Sequence, residues 1–294
     1  MKDKIIRSTC NGGKISIVAA QTQEIVEQSR QIHRLSPVCT AALGKTLTIA
    51  TMMGIMLKNE KGSITVNING NGPIGSIITV SDNNGKVKGY VDNPSIDLPL
   101  KKNGTLDVSS AVGTHGRLTV TKDIGCYQPY TGQVNLQSGE IAEDFAYYFA
   151  ISEQQPSAIL LGVLINDDDS VLAAGGILIQ ALPGNTEEEL DDIKNSIKNI
   201  NSSSSLLYSE KKIEQIVQEI FVTMNVKTHE EYSPEFLCDC SKSKIEKVII
   251  SLGETGILDI MNSQGKAEIT CHFCSKIYQF DKQHLSLLLE KLKY

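Results

Sequence analysis

No segment of this 294-residue chain is basic. Lysine and arginine number 28 against 34 aspartates and glutamates, and the balance is 15 to 16 over residues 1–183, 5 to 8 over 184–229 and 8 to 10 over 230–294. Nucleic-acid binding draws on positive charge to displace condensed counterions, so a DNA- or RNA-reading role is disfavoured. Long apolar runs are also missing: nothing approaches 18 uninterrupted apolar residues, and Met1-Lys-Asp-Lys-Ile-Ile lacks the apolar core of an export signal. Seven cysteines, an odd number, argue against a constitutive disulfide framework and for a reducing compartment. The expectation is a cytoplasmic protein with no membrane or nucleic-acid partner.

Several catalytic and ligand signatures are incomplete. Gly70-x-Gly72-x-x-Gly75 matches the dinucleotide fingerprint, but that motif needs a helix directly after it, and Ser76-Ile-Ile-Thr-Val80 continues as a strand. Ser81-Asp-Asn83 has no accompanying Ser-x-x-Lys or Lys-Thr-Gly in a matching context. Asp167-Asp-Asp169 lacks the alternate spacing and later glutamate of an EF-hand and reads as a hairpin turn. With no catalytic constellation, the chain reads as a binding protein and not an enzyme.

What is present is a sequence of short periodic segments. Lys14–Ala20 alternates as a half-buried strand, and Thr22 opens a helix through Ile25, Val26 and Ile32. Ser36-Pro37 is a helix start leading to an apolar helix that ends near Leu57, central to the core. Period-two runs over Ser63–Val91, broken by Gly70-Asn-Gly72-Pro and Asp82-Asn-Asn-Gly85, predict a meander. Further strands are expected at Gly104–Val108, Arg117–Thr121, Thr131–Leu136, Ala158–Ile165 and Val171–Ile179, with a helix from Ser138-Gly-Glu carrying Ile141, Phe145 and Phe149. The fold class is α+β: an N-terminal α/β domain over 1–183, with antiparallel sheets and packed helices.

Over 184–229 the composition shifts to an amphipathic linker. A first helix carries Leu190, Ile193, Ile197 and Ile200, and Asn201–Ser205 interrupts it. A second, from about Ser209, carries Ile213, Ile216, Val217, Ile220, Phe221 and Met224 at helical spacing. Such short helices are marginal alone and must dock on a neighbour. The third part, 230–294, holds a helix capped by Ser241, a short helix at Ile257–Ile260, a hairpin flanking Cys271–Cys274, and a terminal helix capped by Asp281.

Cys238-Asp-Cys240 and Cys271-His-Phe-Cys274 organise this last part. Two close pairs about 30 residues apart form the layout of a tetrahedral all-thiolate zinc site. One ion per chain completes the coordination, leaving His272 outside it. Cys10, Cys39 and Cys126 have no neighbour within ligand spacing. A segment of about 65 residues has a marginal core, so a metal would supply much of its folding free energy. Accessible thiolates are open to peroxide, and Cys238–Cys240 and Cys271–Cys274 are the natural disulfide partners because each pair is pre-assembled. An alternative, in which Cys271-x-x-Cys274 is a thiol oxidoreductase motif, requires a βαβ context that the flanking hairpin does not provide.

Cys-x-Cys, a spacer near 30 residues and Cys-x-x-Cys together resemble the redox-regulated holdase chaperones of the heat-shock protein thirty-three family. The resemblance runs the full length and includes Leu35-Ser-Pro-Val-Cys-Thr-Ala-Ala-Leu-Gly44, Gly89-Tyr-Val-Asp-Asn-Pro94 and Cys271-His-Phe-Cys-Ser-Lys-Ile-Tyr-Gln-Phe280. It implies that zinc on Cys238, Cys240, Cys271 and Cys274 keeps the reduced protein inactive. Oxidation to two disulfides would release the metal, unfold the zinc domain and linker, and expose apolar surface that holds unfolding proteins without ATP. It also implies a homodimer as the active form.

Overall fold

The structure is a computed structural model that describes residues 2–59, 61–125, 128–182, 211–222 and 224–292. The domain boundary expected after 183, the first linker helix, the serine run and Cys126 lie outside these residues. The chain forms two compact units, Met1–Leu237 and Cys238–Tyr294. Mixed helices and antiparallel sheets give the α+β class expected.

Two sheets build the first unit. One has five strands, in the order β10 (Lys227–Tyr232), β1 (Lys4–Cys10), β2 (Ile15–Gln21), β9 (Val171–Ala181) and β8 (Ser157–Ile165), all antiparallel. The other runs β11 (Glu235–Phe236), β5 (Lys86–Val91), β4 (Ser76–Asp82), β3 (Ser63–Asn69), β6 (Arg117–Asp123) and β7 (Tyr130–Asn135), antiparallel except where β11 joins β5. Helix α1 (Gln23–His33) follows β2. Helix α2 (Pro37–Ile55) is buried at every position from Val38 to Ile55 except Lys45. By length and composition α2 would cross a membrane, but 94% of its apolar window is buried inside the protein. It is the core helix predicted, and apolar contacts from both sheets surround it. Ser36 occupies the N-cap position, yet its side chain makes no capping bond.

Differences from the expected elements have local causes. Gly104–Val108 is not a strand: Asp107 accepts hydrogen bonds from the Ser110 backbone and hydroxyl, starting the short helix α3 (Val108–Val112). The glycines of the apparent nucleotide fingerprint serve packing, since a Cβ at Gly70 would lie 2.2 Å from the Gly113 carbonyl oxygen. The chain then continues into β4, as the fingerprint's rejection required. Asp167–Asp169 turns the β8–β9 hairpin, with Asp168 accepting from the Ser170 N–H and hydroxyl. Helix α4 (Ile141–Ile151) buries Ile141, Phe145 and Phe149.

The five-stranded sheet has two apolar faces. Ile5, Val18, Ala20 and Leu178 face α2 and the main core. Ile6, Cys10, Ile15, Ile17, Ala19, Ile177 and Ile179 face the other way and meet Ile213, Ile216, Val217 and Phe221 of helix α5 (Ile213–Ile220) and its end. The apolar stripe predicted for the second linker helix is therefore docked on a sheet. Beyond it, Lys227–Tyr232 and Glu235–Phe236 pair with β1 and β5, so the first unit extends to Leu237. The second unit contains α6 (Lys242–Ser251), α7 (Gly253–Ser263), the hairpin of β12 (Lys266–Thr270) and β13 (Ile277–Asp281), and α8 (Lys282–Lys291). Ser241 and Asp281 cap α6 and α8 through the N–H groups of Lys244 and His284.

Candidate metal centre

The two cysteine pairs are held by ordinary local structure. Cys271 directly follows β12, and its N–H donates to the Lys276 carbonyl at 2.9 Å while its own carbonyl accepts from the Ser275 N–H at 2.8 Å. Ser275 takes a left-handed conformation (φ 58°), which turns the chain into β13. Cys238 and Cys240 lie just before the Ser241 cap of α6, and Asp239 between them is ion-paired with Lys244. The Cys271–Cys274 turn thus lies between two strands and does not open a helix, as the oxidoreductase reading would need.

All four Sγ atoms lie within 4.8 Å of one another. Cys238 is 3.7 Å from Cys271, and Cys240 is 3.3 Å from Cys274. With Zn–S bonds near 2.3 Å, the edge of a thiolate tetrahedron is about 3.8 Å, so the spacing suits a four-coordinate ion of that size. The donor set, four soft sulfurs, selects a metal such as zinc over calcium or magnesium. A metal ion is thus compatible with this cluster.

The sulfurs are not equivalent. Burial pushes the Cys238 and Cys274 thiols up from their ordinary range. Burial acts on Cys240 in the same sense, but a hydrogen bond from the Tyr278 hydroxyl at 3.1 Å and its cysteine neighbours bring it down to about 7. The same bond raises the Tyr278 hydroxyl. Cysteine spacing does not point to Tyr278; the signal for it in the sequence is period two, which puts Tyr278 and Phe280 on the inner side of β13. Around the cluster lie Ile249, Ile257, Ala267, Phe280, Leu285 and Leu288, a small core with the sulfurs at one side.

Cys10 and Cys39 belong to the first unit. Cys39 is fully buried in the first turns of α2, and its thiol donates to the Asn93 carbonyl. Cys10 is buried on the sheet face under α5, and burial raises its thiol to about 11.

Comparison with known proteins extends over the whole chain. A family model described as "Hsp33 protein" matches residues 3–281. The 33 kDa chaperonin of Alkaliphilus oremlandii is 44% identical over 292 residues, covering 99% of this chain and 98% of that protein. That of Clostridium beijerinckii is 44% identical over 289 residues, covering 98% and 99%. The crystal structure of the 33 kDa chaperonin (heat shock protein 33 homolog) from Thermotoga maritima superposes with a TM-score of 0.90 at 35% identity, covering both chains completely.

Proposed function

The chain belongs to the Hsp33 protein family, and from that premise we propose a redox-regulated, ATP-independent holdase chaperone. Its partners are unfolding proteins. It acts in the cytoplasm without nucleic acid or membrane, performs no catalysis, and is a homodimer when active. The observation that carries the reading is the tetrathiol cluster in a unit too small to be secure alone.

Cys238, Cys240, Cys271 and Cys274 would together hold one Zn²⁺ in the reduced state. When bound there, the ion would supply the charge that keeps these four sulfurs deprotonated. A thiolate sulfur attacks one oxygen of hydrogen peroxide, breaking the O–O bond to give a sulfenic acid and hydroxide, and a neighbouring thiolate then displaces hydroxide from that sulfur to close a disulfide. Each pair of thiolates gives two electrons to one peroxide as it closes, so two peroxides give two disulfides and four waters, with four protons taken up and the metal released. Cys238–Cys240 and Cys271–Cys274 are the proposed products, since sequence adjacency survives loss of the ion; the cross-pair contacts depend on it.

The regulatory parts are residues 184–229 as linker and 230–294 as redox switch, following the core over 1–183. Helix α5 covers apolar sheet surface that its departure would expose. Zinc-loaded protein is to be treated with peroxide at heat-shock temperature, following zinc release and light scattering by a thermally unfolding enzyme in one sample. The expected result is zinc release together with suppressed scattering, from the oxidised protein alone. Equal suppression by the reduced protein would sink the redox switch.

A further inference from the structure

Strand β10 holds the edge of the five-stranded sheet with almost no apolar contact. Five of its six residues are exposed and Tyr232 is half-buried. Its bonds to β1 are a backbone ladder, with a bulge between Arg7 and Ser8, and polar side-chain pairs: Arg7 with Glu230 at 2.7 Å, Ser8 with Thr228 at 3.1 Å, Thr9 with His229 at 2.7 Å, and Lys4 with Glu231 at 2.8 Å. The two ion pairs lie at the surface, where such pairs add little stability and weaken with salt. Its neighbour β1 is anchored differently, with Ile5 and Ile6 fully buried on opposite faces and all seven residues paired with β2.

Register makes β10 a poor match for its place. Glu231 stands opposite Ile6 and Thr228 opposite Ser8, and Ile6, Ser8 and Cys10 share the face that α5 covers. An extended segment carrying an apolar residue opposite Ile6, where β10 has Glu231, would gain contact with Ile6 and the adjoining isoleucines once α5 is gone. Main-chain pairing reads no side chain, which suits partners that share only an unfolded backbone. Only Pro234 and its neighbours separate β10 from β11, and Cys238 follows within two residues.

We infer that β10 is a placeholder on the β1 edge, and that an extended segment of an unfolding client occupies that edge when β10 and α5 have left. The inference rests on the chaperone reading and names the surface through which that function acts.

Hydrogen exchange at residue resolution tests it on the full chain, zinc-loaded and then peroxide-treated, with and without a thermally unfolding enzyme. Zinc and scattering are read from the same samples. Amides of Lys227–Tyr232 should lose protection on oxidation and stay unprotected with client. Amides of β1 directed at β10 should lose protection in the oxidised chain and regain about tenfold or more with client. Zinc release and suppressed scattering with β10 still protected, or with the β1 edge unprotected in the client complex, overturns the inference alone. Zinc release without suppression overturns the chaperone reading and the inference with it. In a second arm, Glu231→Leu improves β10's own fit against Ile6 and keeps the Thr228 bond to the buried Ser8 hydroxyl, so the oxidised variant should bind client about five- to tenfold more weakly at unchanged zinc release. Unchanged client affinity there also overturns the inference.

Discussion

Tyr278 is the residue that distinguishes Cys240 from the other three sulfurs. Its hydroxyl donates to Cys240 Sγ and favours the thiolate. Tyr278→Phe removes that donor while keeping the ring in the small core. The Cys240 thiol should then titrate above about 7, read as a shift to higher pH in the alkylation rate of metal-free reduced protein. Zinc affinity should fall roughly tenfold by competition with a chelator. A second residue-scale effect lies in the first unit, where Glu27 accepts from Arg30 and from the Val171 N–H, tying α1 to β9. The Arg30 hydrogen bond, opposed by burial, lowers Glu27 from 4.5 to about 2. Its folded pKa lies below the unfolded one, so its contribution is full above about pH 4.5 and is lost as the pH falls toward 2. After allowance for solvent screening this amounts to about 1 kcal/mol. Denaturant unfolding between pH 5 and pH 2 should be flatter for Glu27→Gln by that amount.

At the level of elements, α5 and the sheet beneath it form a testable pair. Cys10 and Cys39 are both buried, but Cys10 lies under α5 and Cys39 inside the main core. A bulky maleimide should label neither in the reduced, zinc-loaded protein. Ile216→Asp places a charge in the α5 interface, where Ile216 is 1% exposed, and should undock the helix without oxidation. Peptide mapping should then find Cys10 labelled and Cys39 untouched; labelling of both, or of neither, would mean that α5 is not the removable cover. The stripe of α5 was legible because its apolar residues recur at helical spacing. Strand β10 was not legible, because Lys-Thr-His-Glu-Glu-Tyr has no apolar alternation; its pairing comes from a β1 edge more than two hundred residues earlier. The strand expected at Gly104–Val108 failed for the opposite reason: local capping by Asp107 prevailed where no partner strand was available.

For the whole molecule, the two units differ in what sustains them. Met1–Leu237 has two sheets around a buried helix, with Val, Leu and Ile side chains each contributing about 1.5–3 kcal/mol on burial. Cys238–Tyr294 has a cluster of eight buried residues, Cys271 among them, in a size range where metals often complete the fold. Removing the metal from reduced protein with a chelator should therefore unfold the second unit and leave the first intact. Far-ultraviolet circular dichroism should report partial loss of helix, and hydrogen exchange should confine that loss to residues 238–292. Loss of protection throughout β3, β4 and β6 would contradict this division.

The sequence by itself determined the four-cysteine cluster and the main elements, because cysteine spacing, capping residues and apolar periodicity are local properties of the chain. Cys238, Cys240, Cys271 and Cys274 were identifiable as a set for that reason, as were α2, the β3–β5 meander and the hairpin around Cys271–Cys274. Only the tertiary structure decided which face of which sheet α5 covers, that β10 joins the first unit, and that Tyr278 reaches Cys240. Each of these depends on contact between segments far apart in sequence, and no local pattern in either segment specifies its distant partner.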